Sequence, residues 1–370
     1  MLACWHGDEF RAWRRIAAVV MLVFLGAYAA AQISAGGKAL QGVLGWNPNA
    51  GAVVVAAMIL AYSVAGGIRA SIWTDAAQST VMLAAMSLLF AVGILGQGGV
   101  VSAIGQMEAV PGFLDLFPSS LLFPGAIGMG LFVLGWMFAG FSVVGQPHVM
   151  VRFMALDDPA NLARARAWYY SYFTAFYALA TGVGLLSRLY LPELGDMDPE
   201  LALPTMALEL LPAVFVGMIL AGIFAATMST ADSLVLSCSA AITQDLLPSG
   251  KARTVHAKLA TAGVTVLALI IAMSGPRSVF QLVILSWSTL ASAFAPLLTI
   301  YALGRRISET GAIAAMVAGV TTAVLWRLVE WHTMVYEGMP GIIAGTAVAF
   351  ALSQPARQWR SGGVALADDR

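Results

Sequence analysis

The stretch GIFAATMSTADSLVLSCSAAITQDL, residues 222–246, is an apolar run that hydroxyl side chains and one carboxylate, Asp232, interrupt. At about 100 degrees per residue, six of its positions share one helix face. They carry small residues and hydroxyls, namely Gly222, Ala226, Ser229, Thr230, Ser233 and Ser237. Such a stripe indicates either close helix packing, with hydroxyls bonded to their own backbone, or a site for a hard cation such as sodium. Asp232 lies beside the stripe, where it either reaches water at the helix end or adds charge to a second cation site or a gate.

Composition places the chain in a membrane. Of its 370 residues, 60% are hydrophobic and only 10% are charged, and the mean hydropathy is +0.84. Because a spanning helix needs about 20 apolar residues and the segments do not alternate as barrel strands do, we expect an all-α polytopic protein. About ten spans are predicted, at residues 16–35, 51–67, 76–95, 120–146, 169–187, 211–245, 256–274, 279–303, 310–328 and 339–355.

The domain organisation follows from these spans. We expect a single transmembrane domain over residues 1–370, with core helices in 16–303 and accessory helices with a short cytoplasmic tail in 304–370. If the amino terminus is cytoplasmic, fifteen of the 19 basic residues fall inside, and four fall outside: Lys38, Arg188, Arg277 and Arg327. This positive-inside bias predicts that both termini are cytoplasmic.

A second polar stretch, GGIRASIWTDAAQ at residues 66–78, joins the second and third predicted helices. Gly66 and Gly67 are expected to end one helix, and Arg69 to anchor the turn on the cytoplasmic side. Asp75 then lies in the first turn of the next helix, where the helix dipole favours an acid. The alternative is that Asp75 stands at the inner mouth of a cation path, near Asp232.

A third stretch, GWMFAGFSVVGQPHVMVRFMALDDP at residues 135–159, predicts a broken helix, with interruptions at Gly135, Gly140, Gly145 and Pro147. Broken helices at membrane depth expose backbone groups that bind ions or zwitterions. Gln146 and His148 either bond a substrate or restore hydrogen bonds lost at the kink. The predicted substrate site comprises Gly140, Ser142, Gln146, Pro147 and His148.

Motifs of other classes do not occur in the sequence. A P-loop, a dinucleotide-binding glycine pattern, HExxH and GxSxG are all missing, which argues against an ATP-driven pump or a membrane protease. Cys4 and Cys238 do not form a disulfide or metal pattern. We therefore expect a secondary transporter rather than an enzyme, without a cofactor.

The three stretches together resemble the sodium:solute symporter family, and most closely its sodium/proline branch. GGIRASIWTDAAQ resembles the segment before the fifth core helix, GQPHVMVRFMALDD resembles a Gly-Gln-Pro-His stretch followed by Arg-Phe-Met-Ala, and ATMSTADS resembles the eighth core helix. GAIAAMVAGVTTAVLW at 311–326 resembles a helix beyond the core. The resemblance implies a leucine-transporter-type inverted repeat working by alternating access. It also implies sodium-coupled symport of a small organic solute, best guessed as proline or a related amino acid, across a bacterial inner membrane.

The resemblance further implies site residues. Sodium, the coupling ion, is expected to bind the carbonyl of Ala226 and the hydroxyls of Ser229 and Thr230. In some members the positions of Asp75, Asp232 and Ser233 form an additional sodium site, although Asp232 replaces the small residue often found there.

The sequence also departs from the family. Proline symporters carry Trp and Tyr where this chain has Ala139 and Val143. The similarity begins just before the third core helix, so the core is expected to lack its first helices. Two alternatives are a non-transporting truncated fragment and a symporter-like sensory module, the second of which calls for a long cytoplasmic output domain. No nucleic acid partner is expected, and the oligomeric state is left open.

Overall fold

The computed structural model describes residues 2–4, 7, 9–156, 158–193, 197–247, 254–275 and 278–355, and for residues 65–70 it describes the backbone alone. The expected cytoplasmic tail beyond residue 355 and the side chain of Arg69 therefore lie outside the described residues. The α-helices are α1 (Arg11–Leu44), α2 (Pro48–Gly96), α3 (Val100–Glu108), α4 (Gly125–Phe141), α5 (Pro147–Met154), α6 (Leu162–Tyr190), α7 (Ala202–Leu210), α8 (Ala213–Ala240), α9 (Thr254–Ser274), α10 (Val279–Ala302), α11 (Glu309–Leu328) and α12 (Gly338–Leu352). A π-helical turn, Ala241–Leu246, extends α8, and two short antiparallel strands, β1 (Arg305–Ile307) and β2 (Ser353–Pro355), pair with each other.

The prediction of an all-α polytopic membrane protein is confirmed. Within the described residues, seven helices are long and apolar enough to cross a membrane. The predicted spans 51–67 and 339–355 fall on shorter apolar helices, Pro48–Val64 and Gly338–Leu352. The predicted span 169–187 lies in α6, whose tyrosines and serines lower its hydropathy below that of the other spans.

The prediction of a helix end at Gly66 and Gly67 is wrong. The backbone is helical from Pro48 to Gly96, so α2 contains both the second and the third predicted spans. Glycine costs a helix only about 1 kcal/mol per residue relative to alanine, and neither position is a proline that would remove a hydrogen bond. Two glycines in a long apolar helix therefore do not suffice to end it, and Asp75 lies well inside α2 rather than in a first turn.

The chain divides into two compact units. One comprises Ala18–Ser120 and Pro147–Ser286 and contains the packing of α2 against α8. Its apolar core includes Leu89, Leu186, Met206 and Ile219, all fully buried. A Cβ added at Gly222 would lie 2.8 Å from the Ala85 methyl, so at this position the small-residue stripe of α8 serves close helix packing.

The other unit comprises Met1–Ala17, Leu121–Gln146 and Trp287–Arg370. Its helices α10, α11 and α12 meet at Ser292, which is fully buried. A Cβ at Gly319 would lie 2.1 Å from the Ser292 carbonyl oxygen, and one at Gly341 would lie 2.2 Å from its hydroxyl. Small residues thus allow these backbones to approach closely, as is usual for helices in lipid. The carboxylate of Glu309 accepts hydrogen bonds from the backbone N–H groups of Ala12 and Trp13 at the start of α1.

A buried lysine organises one end of the first unit. Lys38 Nζ lies 2.6 Å from Asp198 Oδ2 and 2.6 Å from Glu200 Oε2, although only 8% of Lys38 is exposed. Glu200 also accepts hydrogen bonds from the Ser278 hydroxyl and from the N–H groups of Val279 and Phe280. The acid therefore ties α1 to the N-terminus of α10, where the helix dipole favours negative charge. A cavity of about 390 Å³ adjoins Lys38 and Asp198.

These contacts set the protonation of both acids. Partial burial alone would raise the pKa of Asp198 and of Glu200, but the hydrogen bond from Lys38 and the backbone N–H donors outweigh it, so both pKa values are lowered. A carboxyl with a lowered pKa stabilises the fold at pH values above its ordinary pKa, and this stability is lost as the pH falls through the lowered value.

The variant Lys38→Met tests this network. We expect it to lower the free energy of unfolding by about 2 kcal/mol at neutral pH, since it removes hydrogen bonds between charged groups. Without the lysine, both carboxyl pKa values rise from their lowered positions, so the variant should lose less stability than the unmodified protein as the pH falls. Thermal unfolding of the purified protein in detergent from pH 7 to pH 3 measures both effects. Lys258→Met, at an exposed lysine of α9, is the matched control, and an acid profile equal to that of the unmodified protein would contradict the assignment.

Candidate functional site

Three predicted sodium ligands lie together on α8. The Ser229 hydroxyl is 3.1 Å from the Ala226 carbonyl oxygen, and the Thr230 hydroxyl is 3.0 Å from the same atom. Three oxygens therefore converge within one helical turn. Both hydroxyls donate to this carbonyl, so a cation bound to all three oxygens requires only that the two hydroxyl hydrogens rotate away. Hydroxyl rotation needs no movement of the backbone.

The residues predicted for a second cation site or gate occupy the same unit. Arg152 of α5 donates from Nη2 to the carboxylate of Asp75 on α2 and to the hydroxyl of Ser233 on α8. The Arg152 side chain is 39% exposed, whereas that of Asp75 is 16% exposed. The guanidinium thus reaches inward from an exposed position and brings Asp75 and Ser233 together.

Asp232 differs from its neighbours in lacking a partner. It is 1% exposed, and neither of its carboxylate oxygens has a hydrogen bond. Its charge lies close enough to that of Asp75 for the two to interact. The expectation that Asp232 reaches water at a helix end is wrong, because the packing of α8 buries it. A buried carboxylate without a partner is costly in a protein interior, which makes Asp232 the least compensated charge of this cluster.

Sequence reasoning missed the role of Arg152, which it counted only as a cytoplasmic positive charge. Its partners Asp75 and Ser233 are 77 and 81 residues away along the chain, so no local spacing reveals the contact. The signal available in the sequence was the acid Asp75 itself, since an acid inside an apolar helix requires a cationic or hydrogen-bonding partner.

The predicted helix break is present. α4 ends at Phe141, a 3-10 turn occupies Ser142–Gly145, and α5 begins at Pro147. Gly135 and Gly140 do not interrupt α4, contrary to the prediction. Proline stands at the first position of α5, where its missing N–H costs nothing, so it starts a new helix rather than bending the old one.

On the α4 side of the break, Gln146 is fully buried. Its amide Nε2 donates to the carbonyl oxygens of Ser142, at 3.1 Å, and Trp287, at 2.9 Å. Because both partners are acceptors, they fix the orientation of the amide and leave Oε1 buried without a hydrogen bond. Gln146 therefore restores hydrogen bonds at the kink, which was one of the two hypotheses from the sequence. Its Oε1 can still accept a hydrogen bond from another donor.

Ser142 is fully buried as well. Its hydroxyl donates to the Phe138 carbonyl at 2.8 Å and lies 3.0 Å from the Tyr336 hydroxyl. Trp136 stacks on the Tyr336 ring, with 6.5 Å between the centroids. Ser142 and Gln146 are thus brought together around the 3-10 turn. Tyr336 and Trp287 are neighbours that the sequence analysis did not single out.

On the α5 side, His148 is 6% exposed and its ring packs edge-on against Tyr28 of α1, with 5.9 Å between the centroids. This contact favours the structural role for His148 over substrate binding. The substrate roles of Gly140, Ser142, Gln146, Pro147 and His148 stay predictions.

Comparison with known proteins identifies the family of this chain. A sequence profile described as the sodium:solute symporter family matches residues 7–319. The chain belongs to the sodium:solute symporter family. Among relatives of this symporter, the high-affinity proline transporter PutP of Bacillus subtilis is 28% identical over 94% of this chain and 74% of its own length. The sodium/proline symporter of Escherichia coli is 29% identical over 93% of this chain and 70% of its own length.

A solved structure supports the fold of the symporter. A Na⁺-coupled sialic acid symporter in a substrate-bound outward-open state matches with a TM-score of 0.70 and 19% identity, over 92% of this chain and 75% of the other. At this identity the likeness establishes the fold, which is of the leucine-transporter type as expected. Both relatives are named as transporters of proline.

The glycine of the break provides a test. A Cβ at Gly145 would lie 2.4 Å from the Ala291 Cα of α10, so Gly145→Ala must push two backbones apart. We expect a loss of about 2 kcal/mol in stability, as overpacking typically causes, together with a large loss of transport. Gly140→Ala, where an added Cβ meets nothing within 4 Å, is the matched control. Thermal unfolding of the two variants side by side measures the difference, and equal stabilities would show that Gly145 does not require its close approach.

Proposed function

We propose that this symporter uses the sodium gradient to move a small organic solute into the cell by alternating access. The observation that carries the proposal is the convergence of the Ala226 carbonyl and the Ser229 and Thr230 hydroxyls within one turn of α8, in a chain of this family. Uncharged oxygens suit sodium, since they coordinate a hard cation without the cost of burying several carboxylates.

Coupling requires that sodium and solute favour the same conformation. A sodium ion bound to these oxygens stabilises the state in which they are arranged to receive it, and a solute that prefers the same state then binds more tightly. By reciprocity the solute raises sodium affinity by the same factor, typically 5- to 150-fold, or about 1–3 kcal/mol. Transport follows from these differential affinities and needs no covalent chemistry, so we assign no enzymatic activity and no cofactor.

A second cation is proposed for Asp75, Asp232 and Ser233. The cluster holds two carboxylates but a single guanidinium, Arg152, which bonds Asp75 and Ser233. The charge of Asp232 is therefore uncompensated by a bonded cation. The two unpartnered oxygens of the buried Asp232 support a small cation at this position, because its charge and coordination would satisfy them. Sodium is the candidate for this second cation, because it is the coupling ion of the family.

For the solute, Gln146 is the most informative residue. Its buried Oε1 accepts no hydrogen bond within the protein, so it suits an N–H donor such as the secondary ammonium of proline. The printed names of the relatives, a proline transporter and a sodium/proline symporter, point to the same compound. We propose proline as the first substrate to test, although Ala139 and Val143 replace two aromatic side chains expected in proline symporters.

The cellular setting is also a proposal. The relatives are bacterial, and the positive-inside bias of the sequence favours a bacterial plasma membrane with both termini cytoplasmic. The partners proposed are the solute, sodium ions and the lipid bilayer.

Sodium ligation is tested with the double variant Ser229→Ala/Thr230→Ala. Removing both hydroxyls leaves one of the three oxygens, so we expect sodium-stimulated uptake to fall at least tenfold while the protein stays folded. The control is Ser237→Ala, because Ser237 donates to a carbonyl four residues earlier in the same way but lies outside the three-oxygen cluster. Uptake into proteoliposomes is measured at several sodium concentrations. Unchanged sodium dependence in the double variant would contradict sodium ligation by Ser229 and Thr230.

The substrate is tested by uptake into proteoliposomes under an imposed inward sodium gradient, across proline, other amino acids and small carboxylates. We expect proline to accumulate, and we expect dissipation of the sodium gradient to abolish this accumulation. Uptake of another compound in preference to proline would refute the proline assignment. A well-folded sample that accumulates none of them would favour the non-transporting alternatives, a truncated fragment or a sensory module.

A further inference from the structure

Arg152 lies where the proposed second sodium ion needs its ligands. A single nitrogen of the guanidinium bonds both Asp75 and Ser233, two of the three residues assigned to that ion. We propose that Arg152 is a tethered competitor of the second sodium ion, which holds these ligands until sodium displaces it and thereby sets the sodium affinity of the symporter. The inference rests on the proposed sodium-coupled function and concerns how one of its sites is regulated.

The competition concerns two shared ligands, Ser233 and Asp75. The Ser233 hydroxyl donates its own hydrogen to the Ser229 carbonyl oxygen at 2.9 Å, so it meets Arg152 as an acceptor, and a sodium ion would bind the same oxygen. Asp75 gives one carboxylate oxygen to Arg152, and its other oxygen is buried without a hydrogen bond. Two cations held on the same ligands repel each other, so sodium weakens the binding of the guanidinium and the guanidinium weakens the binding of sodium.

The charges make displacement feasible. With Arg152 in place, the cluster holds two carboxylates and one guanidinium, and Asp232 has no hydrogen bond to either oxygen. Sodium would satisfy Asp232 as well as Asp75, whereas Arg152 bonds only Asp75 and Ser233 among the three. Because 39% of the arginine side chain is exposed, the guanidinium can move outward when it is displaced instead of remaining buried and unpaired.

The arrangement also reaches the first sodium site. Ser233 is bonded on one side to Arg152 and on the other to the Ser229 carbonyl, while the Ser229 hydroxyl bonds Ala226. A change at Arg152 therefore alters the hydrogen bonding of the helical turn that holds the three converging oxygens. While Arg152 holds these ligands, only part of the protein is in the state that binds sodium. The apparent sodium affinity is lowered accordingly.

The test is the half-saturating sodium concentration of the variant Arg152→Gln. Glutamine keeps polarity but removes the positive charge, so we expect half-saturation at about tenfold lower sodium, within the usual range of coupling between sites. Arg152→Lys keeps the charge but lacks the forked donors of arginine, and we expect about a threefold shift in the same direction. The matched control is Arg164→Gln, at an exposed arginine near the start of α6, which should leave half-saturation unchanged.

Two readouts keep the result interpretable. Sodium binding is followed as the rise in unfolding temperature of the detergent-solubilised protein with increasing NaCl, with choline chloride at equal ionic strength as reference, and uptake into proteoliposomes is measured in parallel. If the unmodified protein shows no uptake, the proposed function fails, yet the thermal titration still tests Arg152. If the Arg152–Asp75 ion pair only stabilises the fold, the Arg152→Gln and Arg152→Lys variants should be less stable and should bind sodium equally well or more weakly. That outcome in folded variants would overturn the inference. If the Gln variant does not fold, an unchanged half-saturation in the Lys variant would do the same.

Discussion

A polar group inside a bilayer must find its partner within the protein, and this constraint governs the structure around α8. Water cannot satisfy a hydroxyl or a carboxylate at that depth, so each has to bond a carbonyl, another side chain or an ion. Ser229, Thr230 and Ser233 turn back onto their own helix. Asp75 takes Arg152 as its partner. Asp232 alone of these finds no hydrogen bond, and the proposed cation chemistry begins from that residue.

The local part of this arrangement was predictable from the sequence. The stripe on α8 follows from helical periodicity, and the break before Pro147 follows from the missing N–H of proline. The continuous helix α2 was not predictable, because two glycines lower helix propensity without preventing the hydrogen bonds of the backbone. The contacts of Arg152 with Asp75 and of Gln146 with the Trp287 carbonyl span 77 and 141 residues, and only the packing of distant helices creates them.

The two kinds of glycine in the chain illustrate the same distinction. Gly140 and Gly145 look alike in the sequence, and both were expected to interrupt a helix. Gly140 lies inside α4 with free space beside it, whereas Gly145 lies against the backbone of Ala291. What a glycine does is decided by what the fold places next to it. Gln146 is a second example, since two carbonyl oxygens accept hydrogen bonds from its amide nitrogen and its oxygen is left without a hydrogen bond.

The Lys38 network has a consequence for the synthesis of the protein. Lys38 is separated from Asp198 and Glu200 by 160 and 162 residues. At roughly 5–20 residues per second, the ribosome takes roughly 8–32 s to make the segment between Lys38 and Asp198. During that time α1 carries an ammonium group without its final partners, and the N-terminus of α10 is made later still. The first helix can therefore enter the membrane early but cannot reach its final contacts until most of the chain has been made, and the ion pairs that Lys38 forms belong to the late steps of folding.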